Sequence, residues 1–208
     1  MTVEAGSGRE RRERERGARP AELTEEALEA WGRRLGARAA EAGTFVALVG
    51  PLGSGKTRLV QAACRGCAVV DPVLSPTFTL VHRYMGGQGP VYHCDLYRLR
   101  DAGELADLGW DDLLAAEGPV YVEWAERASG ALPGDRWEIR LEIGARTAMR
   151  TVRAVAYGRA PPVPDPGGGE DPAAAQAGSP APTRAPAPKG SPAPTGSRAP
   201  AADGPDEA

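Results

Sequence analysis

Asparagine is absent from all 208 residues, and lysine occurs twice, at Lys56 and Lys189. No apolar run is long enough to span a bilayer, and the N-terminus is charged rather than leader-like, which points to a cytoplasmic protein. Three cysteines, an odd number, fit a reducing compartment better than a disulfide scaffold. Aromatic residues make up 5% and apolar residues 41%, so part of the chain is expected to lie outside any core. A net charge of -3 and a pI of about 5.6 supply no overall field for nucleic acid.

Against that background one stretch is dense with signal. Phe45-Val46-Ala47-Leu48-Val49 is a continuous apolar run bounded by Gly43 and Gly50, the pattern of a strand buried on both faces of a parallel sheet. Gly50-Pro51-Leu52-Gly53-Ser54-Gly55-Lys56-Thr57 then matches G-x-x-x-x-G-K-[ST], and a helix-compatible segment follows from Arg58. Glycines at 50, 53 and 55 let backbone N–H groups approach phosphate oxygens, and the following helix aims its positive end at the same anion. Lys56 reaches the β- and γ-phosphates as a mobile charge, and Thr57 offers a hydroxyl to Mg²⁺. Nucleotide contacts are thus expected at Gly50, Leu52, Gly53, Ser54, Gly55, Lys56, Thr57 and Arg58. With Lys189 far outside in a Pro/Ala/Gly tail, Lys56 is the only lysine a folded core can use.

The remaining chain divides in three. Residues 1–19 carry the alternating run Arg9-Glu10-Arg11-Arg12-Glu13-Arg14-Glu15-Arg16, which reads as a solvated arm, with RNA contact as the sharper alternative. Residues 20–158 form the domain, and 159–208, Pro/Ala/Gly/Ser-rich without aromatics, are expected to be disordered. Within the domain, Thr24 caps a helix whose apolar positions are Leu28, Trp31, Leu35 and Ala39, ending before Gly43. Cys64 and Cys67 make an isolated C-x-x-C, closer to buried thiols than to a metal site. Val69, Val70 and Val73 suggest a short strand.

Ser75, Thr77 and Thr79 precede another strand, as switch-like γ-phosphate contacts or as ordinary strand residues. Two strands end in carboxylates, Val91–Asp95 and Val120–Glu123, where an open α/β sheet places its ligands. Asp95 fits a Mg²⁺-holding acid, and Glu123 a water-orienting or metal-completing one. Asp101 to Ala116 reads as helix broken at Gly109. Trp137–Ile143 and Met149–Tyr157 alternate with period two, predicting an antiparallel hairpin with one wet face. The fold class is therefore α/β: a three-layer, P-loop NTPase-like fold with a mixed central sheet and antiparallel C-terminal strands.

GPLGSGKT, SPTFTLVHRY, YHCDLYRL, ELADLG and VEWAER, in this order, resemble the TsaE family, the ATPase of bacterial tRNA threonylcarbamoyladenosine (t6A) biosynthesis. The resemblance spans Leu23 to Gly158 and implies ATP and Mg²⁺ as cofactors. It implies Lys56, Asp95 and Glu123 as catalytic residues, and Thr57, Asp95 and Glu123 around the metal. It places Trp124 beside the site or the partner surface. It also implies TsaD-like and TsaB-like partners, with tRNA engaged only indirectly. The chain departs from the family pattern at Leu28, Pro51, Arg58 and Ala125.

Other readings separate by chemistry. Guanine selection by Asn-Lys-x-Asp has no asparagine to work with, which disfavours a GTPase. A small-molecule or nucleoside kinase remains the alternative enzyme, with Asp95, Arg98 and Glu123 serving an acceptor hydroxyl, although no Arg-rich lid segment is visible. A nucleotide-gated binding module with negligible hydrolysis is the third.

Overall fold

The computed structural model describes residues 19–168, apart from 77–79, 129 and 147. Thr24 sets the first helix boundary. Its Oγ1 accepts a hydrogen bond from Ala27 N at 3.2 Å, satisfying one of the donors a helix start leaves open, with Glu25 and Glu26 favourable in the first turn. Helix α1 (Glu25–Ala42) ends at Gly43, whose φ of 58° is the left-handed cap that glycine adopts without a Cβ penalty. Just before it, Ala21–Thr24 forms strand β1, which pairs antiparallel with the last strand. The sequence reading missed this edge strand, because four residues abutting a helix cap show too little alternation to register.

Strand β2 (Phe45–Val49) leads through the glycine loop into α2 (Lys56–Gly66). A hairpin follows, β3 (Val81–Gly86) and β4 (Gly89–Asp95), then a 3₁₀ segment (Ala102–Leu108) and short α3 (Trp110–Leu114). Gly109, at φ 68°, separates those two pieces as expected. Strand β5 (Val120–Glu123), a 3₁₀ turn (Ala125–Ala128), β6 (Arg136–Ile143) and β7 (Met149–Tyr157) complete the order. Among the described residues the seven strands form one sheet in the order β1-β7-β6-β2-β5-β4-β3. β2 runs parallel to both β5 and β6, and β5 parallel to β4. The β6–β7 and β3–β4 pairs are antiparallel, so the sheet is mixed.

Side-chain alternation divides the core. Val46 and Leu48 point toward α1 and α2, meeting Trp31, Leu35, Leu59 and Val60 with Ile139 and Leu141. Phe45 and Ala47 point the other way, onto Leu96, Leu99, Leu105, Trp110 and Leu113. The two helices approach closely because their facing positions are small. A Cβ on Gly36 would fall 1.9 Å from Ala63 O.

Two expectations are corrected. Val69 to Val73 is not a strand: Val69 is buried but Val70 is 94% exposed, and Pro72 removes a ladder donor while steering its neighbour. The expected disordered tail also begins too early at 159. Residues 159–168 run across the domain as an extended strap. Trp31 Nε1 donates to Pro164 O at 2.9 Å and Trp137 Nε1 to Pro161 O at 2.6 Å. Arg34 Nη2 reaches Gly168 O at 2.8 Å, and Ala160 and Val163 pack on the core. Such a segment needs no core of its own; it supplies carbonyls to two buried indoles whose N–H groups require partners. The arm at 1–18 and the tail beyond 168 lie outside the described residues, as do Thr77 and Thr79.

Candidate functional site

The parallel strands β2, β4 and β5 end at one edge of the sheet, and the glycine loop springs from the first of them. Gly50, Gly53 and Gly55 have φ of 147°, 79° and 99°, all on the side of the map that side chains avoid. At Gly53 an added Cβ would meet nothing within 4 Å, so the requirement there is purely conformational. The loop delivers Lys56 as the first residue of α2. Its Nζ donates to Gly50 O at 2.8 Å and Pro51 O at 2.9 Å, closing the loop on itself.

Trp124 caps this arrangement. Its backbone sits at φ 58°, which costs a bulky residue about 1–3 kcal/mol. The turn brings the indole over Lys56, with Nζ 3.7 Å from the ring centroid. Tyr97 packs against the indole as well, its ring centroid 4.9 Å from that of Trp124 and tilted by 46°. Lys56 is almost fully buried, and this desolvation pulls its pKa below the usual lysine value. The carboxylates of Glu123, Glu126 and Asp95 oppose that effect by favouring the cation. A positive charge held in a partly dry loop is a strong attractor for an anion that can replace its carbonyl partners.

The two strand-tip acids lie side by side. Asp95 and Glu123 are register partners on β4 and β5, and both are buried. Glu123 Oε2 accepts from Thr57 Oγ1 at 2.9 Å, tying β5 to the start of α2. Glu123 Oε1 lies 2.9 Å from His93 Nε2. Asp95 accepts from Ser75 Oγ at 3.1 Å and from Tyr97 N at 3.0 Å. A hydroxyl and two carboxylates make an all-oxygen donor set, the kind that suits a hard divalent cation such as Mg²⁺.

A cleft of about 930 Å³ opens over these groups, within the size range of ligand sites. It takes in Leu52, Gly53, Gly55, Lys56, Thr57 and Arg58 from the loop and helix, and Ser75, Asp95 and Glu123 from the strand ends. Arg58 pairs with Glu25 across the cleft wall. Ser54 instead turns inward, its buried Oγ without a partner among the described residues. The structure therefore gathers the expected site residues that it describes around one loop.

Other lining groups escaped the sequence reading. Glu25, Glu26 and Gln61 come from the two helices, Arg150 from β7 and Ala148 from just before it. Nothing in the sequence marks Arg150, which lines the cleft because β7 begins where β6 ends, at the same end of the sheet as the loop. His93 did carry a signal: two residues before Asp95 on one strand, it must share that residue's face.

Strand, glycine loop and helix, with acids at neighbouring strand tips of a mixed sheet, define a P-loop NTPase-like α/β protein. Residues 23–152 match the family model described as threonylcarbamoyl adenosine biosynthesis protein TsaE, and the chain belongs to that family. That family, and the curated relatives that match, are named for tRNA threonylcarbamoyladenosine biosynthesis. Curated TsaE proteins resemble it: 43% identity over 89 residues with that of a Nostoc species, covering 41% of this chain and 55% of the relative. With the Bacillus subtilis protein the identity is 39% over 106 residues, covering 51% and 66%. The chain thus spans about half to two thirds of the length of these relatives. The crystal structure of Bacillus subtilis YdiB aligns with a TM-score of 0.56 at 28% identity, covering 68% of this chain and 88% of that one. Among the described residues no helix is long and apolar enough to cross a membrane.

Proposed function

We propose that this chain binds ATP with Mg²⁺ in the cleft and hydrolyses it as the energy-consuming component of the t6A machinery. In this reading it acts in the cytoplasm on a complex of TsaD-like and TsaB-like proteins and does not itself modify tRNA. The observation that carries the reading is the convergence of Lys56, Thr57, Asp95 and Glu123 on one glycine loop.

The geometry supports the following division of roles. The loop from Gly50 to Gly55 cradles the phosphates with backbone N–H groups. Lys56 exchanges the carbonyls of Gly50 and Pro51 for phosphate oxygens and so leaves the underside of Trp124. Thr57, Asp95 and Glu123 would hold Mg²⁺, which when bound neutralises charge on the phosphates. Glu123, whose oxygens meet Thr57 and His93 in the absence of nucleotide, orients the attacking water. Phosphoryl transfer of this kind asks the protein for positioning and electrostatics more than for covalent chemistry.

The test is turnover of ATP by the full chain with Mg²⁺, alone and with the two partner proteins added. Slow hydrolysis that rises on addition of the partners is expected. Failure to retain any adenine nucleotide refutes the reading, and a phosphorylated product from added nucleosides or small alcohols identifies a kinase instead.

A further inference from the structure

Glu123 is held from two sides. On the side of α2 its Oε2 accepts from Thr57 Oγ1, and from within the sheet its Oε1 faces His93 Nε2, each at 2.9 Å. His93 stands opposite Tyr121 in the β4–β5 register, one pleat behind the pair Asp95 and Glu123. The period of two puts its ring on the same sheet face as both acids. It is fully buried.

The other ring nitrogen is what needs explaining. His93 Nδ1 is buried with no hydrogen-bond partner among the described residues. A carboxylate only accepts, so the contact with Glu123 makes Nε2 the donor and leaves Nδ1 in the neutral ring as an orphan acceptor. Buried polar atoms without partners are few in folded proteins, and each calls for a reason. Packing supplies none, since a phenylalanine or leucine fills an interior site without stranding a polar atom. The chain has two histidines and commits one of them here. What that residue adds is the hydrogen bond to Glu123.

We infer that His93 is a positioning residue for hydrolysis: through Nε2 it holds the Glu123 carboxylate turned toward Thr57 and the phosphate loop. The inference rests on the ATPase reading above. The hydroxyl of Thr57 is claimed by phosphate-loop chemistry when nucleotide binds, so it cannot hold Glu123 through the cycle. His93, behind the strand tip, does not line the cleft and keeps its grip. Its removal should therefore lower kcat and leave the affinity for ATP nearly unchanged.

Two variants of the full chain separate positioning from packing. His93→Phe fills the site without a donor, whereas His93→Gln presents an amide donor at nearly the same reach. For His93→Phe a fall in kcat of roughly 10- to 100-fold is expected, the scale of a small misplacement of a reacting group, with KM for ATP within about threefold. His93→Gln should restore most of the rate. Equal losses in both variants, or no loss in either, overturn the inference.

A second measurement needs neither activity nor a variant of His93. Long-range ¹H–¹⁵N spectra of the nucleotide-free protein, assigned with His82→Gln, should show His93 protonated on Nε2. That resonance should shift in Glu123→Gln. An Nδ1-protonated ring, or no response to Glu123→Gln, overturns the inference even if both His93 variants fail to fold. Absence of ATP hydrolysis by the wild-type chain with its partners would instead refute the ATPase reading, while the spectrum still reports on the contact.

Discussion

Removing the strap should destabilise the domain. The perturbation compares a chain ending at Gly168 with one ending at Gly158. The shorter chain loses the carbonyl of Pro164 from Trp31 Nε1 and that of Pro161 from Trp137 Nε1, and both indoles are fully buried. Each such hydrogen bond contributes about 0.5–1.5 kcal/mol net. Val163 and Ala160 also leave the core, and partial burial of side chains of that size contributes about 1 kcal/mol together. Freed chain entropy offsets part of this. The offset is reduced because Pro161, Pro162, Pro164 and Pro166 are already restricted in the unfolded chain. A net loss of about 2 kcal/mol corresponds to a fall in Tm of roughly 4–8 °C for a domain of this size. Differential scanning calorimetry measures it, and a red shift in tryptophan emission should accompany it. Coincident melting of the two chains would refute the strap's role.

Three further outcomes are expected. Lys56→Ala removes the charge held under Trp124 and facing the loop; nucleotide affinity should fall by roughly 100-fold or more in a fluorescent-analogue titration, since charge-assisted contacts to phosphate are among the strong ones. Burial pushes the Cys64 and Cys94 thiols up from 9.0 to about 12. Above about pH 9 the unfolded chain releases these protons while the folded one keeps them, so stability present below that pH is lost as pH rises toward about 12. The slope is about 1.4 kcal/mol per pH unit for each thiol, and Cys94→Ala should flatten it in urea titrations. Gly36→Val forces α1 off α2, because its Cβ would sit 1.9 Å from Ala63 O; overpacking of this kind costs about 1–3 kcal/mol, read as a lower urea midpoint.

Much of this protein is written locally. The phosphate loop depends on glycine, lysine and threonine at set intervals, because backbone conformation and ligand chemistry there are properties of consecutive residues. Strand β2 was legible because a strand buried on both faces must be apolar throughout, and the Thr24 and Gly43 caps because helix ends need those residue types. Asp95 and Glu123 could be picked out as acids ending apolar strands, yet their adjacency came only from the β4–β5 pairing. Tertiary structure alone decided the rest. The strap at 159–168 has the composition of disordered chain, and it is held by indoles, that of Trp31 being 133 residues from its partner Pro164. Strand β1 exists because β7 offers it an edge, and Arg150 lines the cleft because β7 begins at the loop's end of the sheet. His93 and Glu123 are 30 residues apart, and no pattern along the chain encodes the 2.9 Å between them. Contacts between distant segments depend on packing of the whole sheet, and that is where sequence periodicity falls silent.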